Sequence, residues 1–394
     1  MHRAAIVSCI VVAILGSTSV FAQWNEPTVT ASNRASQPVF LVSSSTPYRF
    51  PPTPAASLPS LSATQMGQLA ASRSGVANSV TSDSKSRSMQ SQSQCKDSDS
   101  EKEILSAFQG AVAHRLRQTA AANAMKLHYG IAACLNAERI FNETLTRLDE
   151  QSKAQTQLVE TGIPIPDPLF VDRLKIALED KRLENHSKMA VLRTQLSALV
   201  GTENACGHSP LEDQEIIPSD RGVCEHIDQA LVCRCDLTTM KHLRGTINSG
   251  SLPVWDRLGA MLSGVPSLAK QKSLWSRVLL GKSSREEIDC AVSARRNWLD
   301  NVIAEQTRQV TMEVEVAFEK KKTAALRWVK AKEQIANWES RIKQLEMLSE
   351  VQGNLAGQFE ANLNRLQAEG PRIERWLEWH LANVDLMLAV GCDL

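Results

Sequence analysis

Residues Gln157 to Gly201 read QLVETGIPIPDPLFVDRLKIALEDKRLENHSKMAVLRTQLSALVG. A helix enters this stretch, stops at Gly162, turns over a proline-rich corner and leaves as a second helix. Glycine takes the left-handed conformation that ends a helix at little cost. Pro164 and Pro166 cannot continue the incoming helix. Asp167 can cap the outgoing one, and Pro168 suits its first turn, where the missing N–H is not needed. Beyond the corner, Val171, Leu174, Leu178, Leu192, Leu196 and Leu199 recur at helical spacing. The unit is a helical hairpin with a pointed tip.

The arm leading into the tip is long. No proline occurs from Ser100 to Thr161, and Ile104, Leu105, Phe108, Val112, Leu116, Met125, Leu127, Ile131, Leu135, Phe141, Leu145 and Leu148 form a helical stripe. Alanine is dense along it, and small residues let helices approach closely. A helix of this length would extend roughly 90 Å, which implies a coiled-coil-like rod rather than an ordinary globular helix.

The pattern returns later in the chain. From Ser284 a second proline-free stretch runs to about Gln352, with Glu286 and Glu287 in its first turn, where the helix dipole favours acids. Gly353 breaks it, and a shorter helix follows to Val390, with Gly370-Pro371 in its interior as a candidate kink. Gly162 to Gly201 covers 39 positions and Gly353 to Gly391 covers 38; both segments end on Val-Gly, at Val200-Gly201 and Val390-Gly391. An internal repeat of this kind identifies the architecture. The fold class is all-α: two long antiparallel helical hairpins, residues 100–201 and 285–394, separated by an irregular region, residues 202–284. Within that region CEHIDQALVCRCDLTTMKHLRGTI reads as a short helix, a break and another short helix.

The N-terminal part has a different character. MHRAAIVSCIVVAILGSTSVFAQ has a basic residue, a short apolar run and small residues before Gln23, which reads as a secretory signal peptide over residues 1–22. A lipoprotein-like box at Cys9 has almost no apolar stretch before it, which argues against lipidation. Residues 23–99 are rich in Ser, Pro, Ala and Thr without a sustained apolar period. Such a segment cannot bury enough surface to offset its ordering entropy, so it is expected to be mostly disordered.

Composition narrows the function classes. A net charge of +1 gives no indication of nucleic acid, and 43% hydrophobic residues suffice for a folded core. Nine cysteines are present, eight of them after the signal peptide, and an even number in an exported chain permits disulfides. At least one is expected among Cys206, Cys224, Cys233 and Cys235. The set Cys224, His226, Cys233 and Cys235 matches no zinc-ligand spacing closely, so thiols or disulfides are favoured over a metal site. His186, the charged run from Glu179 to Arg182 and the run from Glu319 to Lys322 read as solvated helix faces. The tryptophans from Trp298 to Trp379 read as packing residues. No phosphate-binding loop, dinucleotide turn or nucleophile elbow is present, so no catalytic residue, cofactor or metal site is assigned.

The repeat of long and short helices resembles the outer membrane efflux family, the TolC-like channel subunits. In that family the tips carry a Val-Gly-Leu-(Ser/Thr) pattern with an Asp shortly after. Thr161-Gly162-Ile163-Pro164 with Asp167 is similar to it, and Val351, Gly353 and Leu355 are similar more loosely. IDQALVCRCDL resembles the family's ALxxRPDL stretch at the opening of its second repeat, with Cys235 in place of the proline. The resemblance covers residues 100–394. It implies a homotrimer that forms a helical tunnel facing the periplasm, with outer membrane association. It also implies export of small molecules together with a periplasmic adaptor and an inner-membrane pump. The adaptor-facing tips would be Gly162, Ile163, Asp167, Gly353 and Leu355. Two features of the family are not found in this sequence. Gly245 to Ser284 lacks the ten-residue apolar–polar alternation of membrane barrel strands, and the family's opening helix has no evident counterpart. The alternative expectation is therefore a periplasmic coiled-coil scaffold that does not conduct.

Overall fold

A computed structural model of the chain describes residues 62–90, 98–160, 170–201, 221–252, 255, 285–352 and 355–391. Eight helices of eleven residues or more occur among them. They are α1 (Ala63–Arg73), α2 (Gly75–Gln90), α3 (Ser98–Glu160), α4 (Phe170–Val200), α5 (Val223–Cys233), α6 (Cys235–Gly245), α7 (Arg285–Gln352) and α8 (Leu355–Val390). No strand occurs among the described residues. The two proline-free stretches are the longest helices, of 63 and 68 residues, and each is followed by a returning helix of 31 or 36 residues. α8 passes through Pro371 without a break.

Side-chain pairs fix the directions. Glu138 and Asp149 of α3 meet Arg182 and Lys175 of α4, so these two helices are antiparallel. Lys126 and Glu143 of α3 meet Asp385 and Arg365 of α8, which is again an antiparallel sense. Arg327 and Glu339 of α7 meet Glu378 and Arg365 of α8. α3 and α7 therefore run in the same direction, with α8 packed against both, and their C-terminal ends lie at the same end of the molecule. α3 touches α4 and α8, and α8 touches α7, giving the lateral order α4–α3–α8–α7.

Each repeat has its own core beside the end of its returning helix. In the first, Met66 and Ala70 of α1 pack with Ala124, Ile131, Cys134, Met189, Leu196 and Val200. In the second, Ala230 and Leu237 of α5 and α6 pack with Val310, Val314, Ala317, Leu386, Ala389 and Val390. A third group, including Ala132, Ala133, Ile140, Trp328, Ile373 and Trp376, joins the repeats. The tryptophans at 328 and 376 are packing residues, as their spacing indicates.

Two expectations need correction. Residues 62–90 fall within the stretch expected to be disordered, yet they form α1 and α2 against α3. α1 starts with a capping box: the Gln65 N–H donates to Ser62 Oγ at 3.2 Å, and the Ser62 N–H donates to Gln65 Oε1 at 2.8 Å. Its apolar content is low because it faces small residues. A Cβ on Gly67 would lie 3.2 Å from Met125 Cγ, so backbone proximity substitutes for bulk. Residues 23–61 and the signal peptide lie outside the described residues. The second correction concerns sulfur. Cys224, Cys233 and Cys235 are free thiols. The first two sit near opposite ends of α5, about 13 Å apart along the axis, well beyond the reach of a disulfide. Cys235 Sγ instead faces the Ala111 carbonyl at 3.6 Å. Cys206 lies outside the described residues.

Candidate functional site: two arginine clamps and an open helical sheet

α4 and α8 end alike. Gly201 and Gly391 take positive φ, 67° and 75°, and their N–H groups donate to the carbonyls of Ser197 at 2.7 Å and Met387 at 3.0 Å. These are left-handed C-terminal caps. Beside each glycine stands an arginine from the junction of that repeat's two short helices, Arg73 as the last residue of α1 and Arg234 between α5 and α6. Arg73 Nη1 donates to the Val200 carbonyl, and Arg234 Nη1 donates to the Ala389 carbonyl at 3.2 Å. A cation suits the negative end of a helix dipole. The two short helical pairs align in sequence, GQLAASRSGV at 67–76 with DQALVCRCDL at 228–237, and the arginines fall in register. The repeat thus begins before the long helices, with α1–α2 the counterpart of α5–α6.

The second clamp is the more elaborate. Arg234, 4% exposed, donates from Nη2 to Asp236 Oδ2 at 2.6 Å and from Nη1 to Glu313 Oε2 at 2.7 Å. Burial disfavours its charge, but hydrogen bonds to Asp236 and Glu313 outweigh burial and hold the guanidinium above its usual pKa. Burial would likewise push the Asp236 carboxyl up, and the bonds from Arg234 hold it below the ordinary carboxylate range. Gln306 donates to Asp236 at 3.2 Å and Gln309 to Glu313 at 3.1 Å. The first repeat also contributes. From α3, Gln118 donates to the Gly391 carbonyl at 2.8 Å and Arg115 to the Leu388 carbonyl at 2.9 Å. This is a buried, charge-balanced junction, built to fix the returning helix rather than to transform a substrate.

The four long and returning helices form an open layer with α4 and α7 at its edges. Both edges expose apolar side chains. On α4 these are Ile176, Leu183 and Val191; on α7 they are Met312, Val316, Leu326, Val329 and Met347. Met312, Leu326 and Met347 are separated by multiples of seven residues, the spacing of a coiled-coil seam. A groove of ≈ 540 Å³ runs over α3 between α4 and α8, lined by Ala133, Ala137, Ile140, Phe141, Leu178 and Leu377 among others. His186, read from sequence as solvated, is half-buried with Nε2 3.2 Å from Glu138. Lys181 pairs with Glu184 at 3.0 Å on the exposed face, as a solvated charge run does, whereas Arg182 turns inward to Glu138.

Of the tip residues read from sequence, Gly162, Ile163, Asp167 and Gly353 lie outside the described residues, and Leu355 opens α8. The helix ends that flank the two turns, Glu160 and Gln352, lie at the same end of the molecule. The clamp arginines were not singled out in the sequence. The signal for them was available in the alignment of 67–76 with 228–237, but the low apolar content of 67–76 concealed it.

No family model and no curated protein matches the sequence. Solved structures do match. The open state of the Neisseria gonorrhoeae MtrE outer membrane channel superposes with a TM-score of 0.60 at 13% identity, covering 84% of this chain and 89% of that one. The outer-membrane channel OprN gives 0.54 at 16% identity, over 74% and 70% of the two chains. The Campylobacter jejuni CmeC outer membrane channel gives 0.51 at 12% identity, over 75% and 68%. At such identities the likeness is one of fold.

Proposed function

We propose, from a fold shared with the TolC-like outer membrane efflux channels, that this chain is one subunit of a helical duct in the cell envelope. The supporting observation is the open layer with an apolar stripe on each edge. A heterologous contact of α7 on one copy with α4 on the next repeats by rotation until the ring closes. Ring closure buries Leu183, Val191, Leu326 and Met347, which an isolated chain leaves in water. The ring is a homotrimer, its lumen conducts small molecules, and the tips at Gly162, Ile163, Asp167, Gly353 and Leu355 meet a periplasmic adaptor coupled to an inner-membrane pump. These finer assignments extend the family resemblance to this chain.

One observation favours a second reading. α2 ends at Gln90 and α3 begins at Ser98. Seven residues are too few for a pair of membrane-crossing strands, each of about 9–11 residues. A scaffold that assembles in the periplasm without a barrel of its own fits that connection. Native mass spectrometry of the purified protein, together with efflux-dependent resistance of cells lacking the chain, separates the readings. A trimer and lost resistance support the duct. A trimer with unchanged resistance supports the scaffold, and a monomer rules out the ring.

A further inference from the structure

The repeats meet along α3 and α8, and the middle of this seam is aromatic. Tyr129 stacks on the His380 ring, with centroids 4.1 Å apart and planes inclined by 23°. Trp376 and Trp379 approach the same imidazole at 4.2 and 4.5 Å. His128 meets Tyr129 edge-on at 5.9 Å. Both histidines are buried, one on the helix of each repeat. A neutral imidazole packs here as another flat ring, whereas a protonated one brings a charge into a site that cannot hydrate it.

We propose that this seam is an acid-operated joint: protonation of His128 and His380 separates α3 from α8 while each repeat keeps its own core. Those two cores, around Leu196 and around Val314, contain no histidine among their buried residues. The surrounding charges are already engaged or belong to other elements. On α3, Lys126 pairs with Asp385 of α8. On α8, Glu378 pairs with Arg375 and with Arg327 of α7, and Glu374 lines the neighbouring groove. On α7, Lys321, whose amine burial pushes below its usual value, faces His226 rather than the seam. From α4, Lys188 and Arg193 face Cys134. α1 presents Ala63 and Met66.

Burial holds both imidazoles below the ordinary histidine value; His380 is pushed down to about 3, with the charge of His128 adding to the effect. A depressed folded value means that the seam is fully stable above the unfolded value of about 6.5 and is weakened as pH falls from there toward 3. Between pH 7.5 and 5 each refused proton shifts the closed-to-open ratio by up to about thirtyfold.

The test compares full-length wild type with a His128→Leu/His380→Phe double variant and a His226→Leu control. His226 is also held low, chiefly by burial, but it packs against Phe318 at 5.7 Å within the second repeat. Thermal midpoints from pH 7.5 to 5 should fall steeply for wild type and the control and clearly less for the double variant, which keeps the contribution of His226. Hydrogen exchange of wild type at pH 5, corrected for intrinsic rates, should lose protection along residues 122–133 and 376–388 before residues 189–200. Equal pH profiles for wild type and double variant would overturn the proposal, as would a flat control. Should the double variant not fold, wild type alone decides: protection along residues 122–133 and 376–388 lost ahead of residues 189–200 on going from pH 7.5 to 5 upholds the joint, and protection kept equally along all three segments refutes it.

Discussion

Arg234 is 4% exposed and shared among Asp236, Glu313 and the carbonyl of Ala389. Replacing it by methionine keeps the stem and leaves two half-buried carboxylates without the guanidinium that binds them. The expected loss is about 3–5 kcal/mol in chemical denaturation, the usual cost of breaking a buried pair. Lysine should recover only part, because a single ammonium cannot reproduce the forked contact with Asp236 and Glu313. The Asp236 carboxyl is held below its ordinary value. Its contribution is therefore present at neutral pH and lost only as pH falls below about 4, a window lower than the one in which the histidine seam opens. If the tip docks on an adaptor as proposed, Gly162→Trp should abolish efflux-dependent resistance without changing the melting temperature, because a bulky side chain blocks that contact. Gly162→Asn should be tolerated, since Asn also accepts the left-handed conformation. Wild-type resistance with the Trp variant would remove the tip from the mechanism.

α1 shows how little apolar surface a helix needs when its partner is built from small residues. Met66 is completely buried between α1, α3 and α4. Met66→Ala should cost about 2–5 kcal/mol as a buried cavity; an effect below half a unit would mean that α1 does not pack in solution. For the edges, Leu326→Lys/Val329→Lys on α7 changes residues that are 59% and 46% exposed. The monomer should melt within a degree or two of wild type, while the oligomer seen by native mass spectrometry should be lost. Retention of the oligomer would place the subunit contact elsewhere. In α5, alkylation of the native protein should modify Cys224 and Cys233 rapidly and Cys134, which is 4% exposed, only after unfolding.

Among the described residues the molecule is a layer of four helices fastened at one end by two clamps, closed in the middle by an aromatic seam and open at both edges. The long helices were legible in the sequence because proline-free heptad-like spacing over sixty residues has no other compact solution, and Gly201 and Gly391 were legible because only a helix-ending glycine follows such a run so regularly. Their direction was legible too, since each tip reverses the chain. The opening pair α1–α2 was not. Its helix forms on the alanine face of α3, and the depth of that face depends on the spacing between backbones, which no local pattern records. The pairing of Arg73 with Val200 and of Arg234 with Asp236, Glu313 and Ala389 joins residues up to 155 positions apart, and hydropathy marks arginine as a surface residue. By itself the sequence determined the helices, their turns and their repetition, because these follow from backbone preferences and short-range periodicity. The tertiary structure alone decided which polar groups are buried, which histidines lose their water and which apolar stripes stay uncovered, because these depend on what another part of the chain places opposite them.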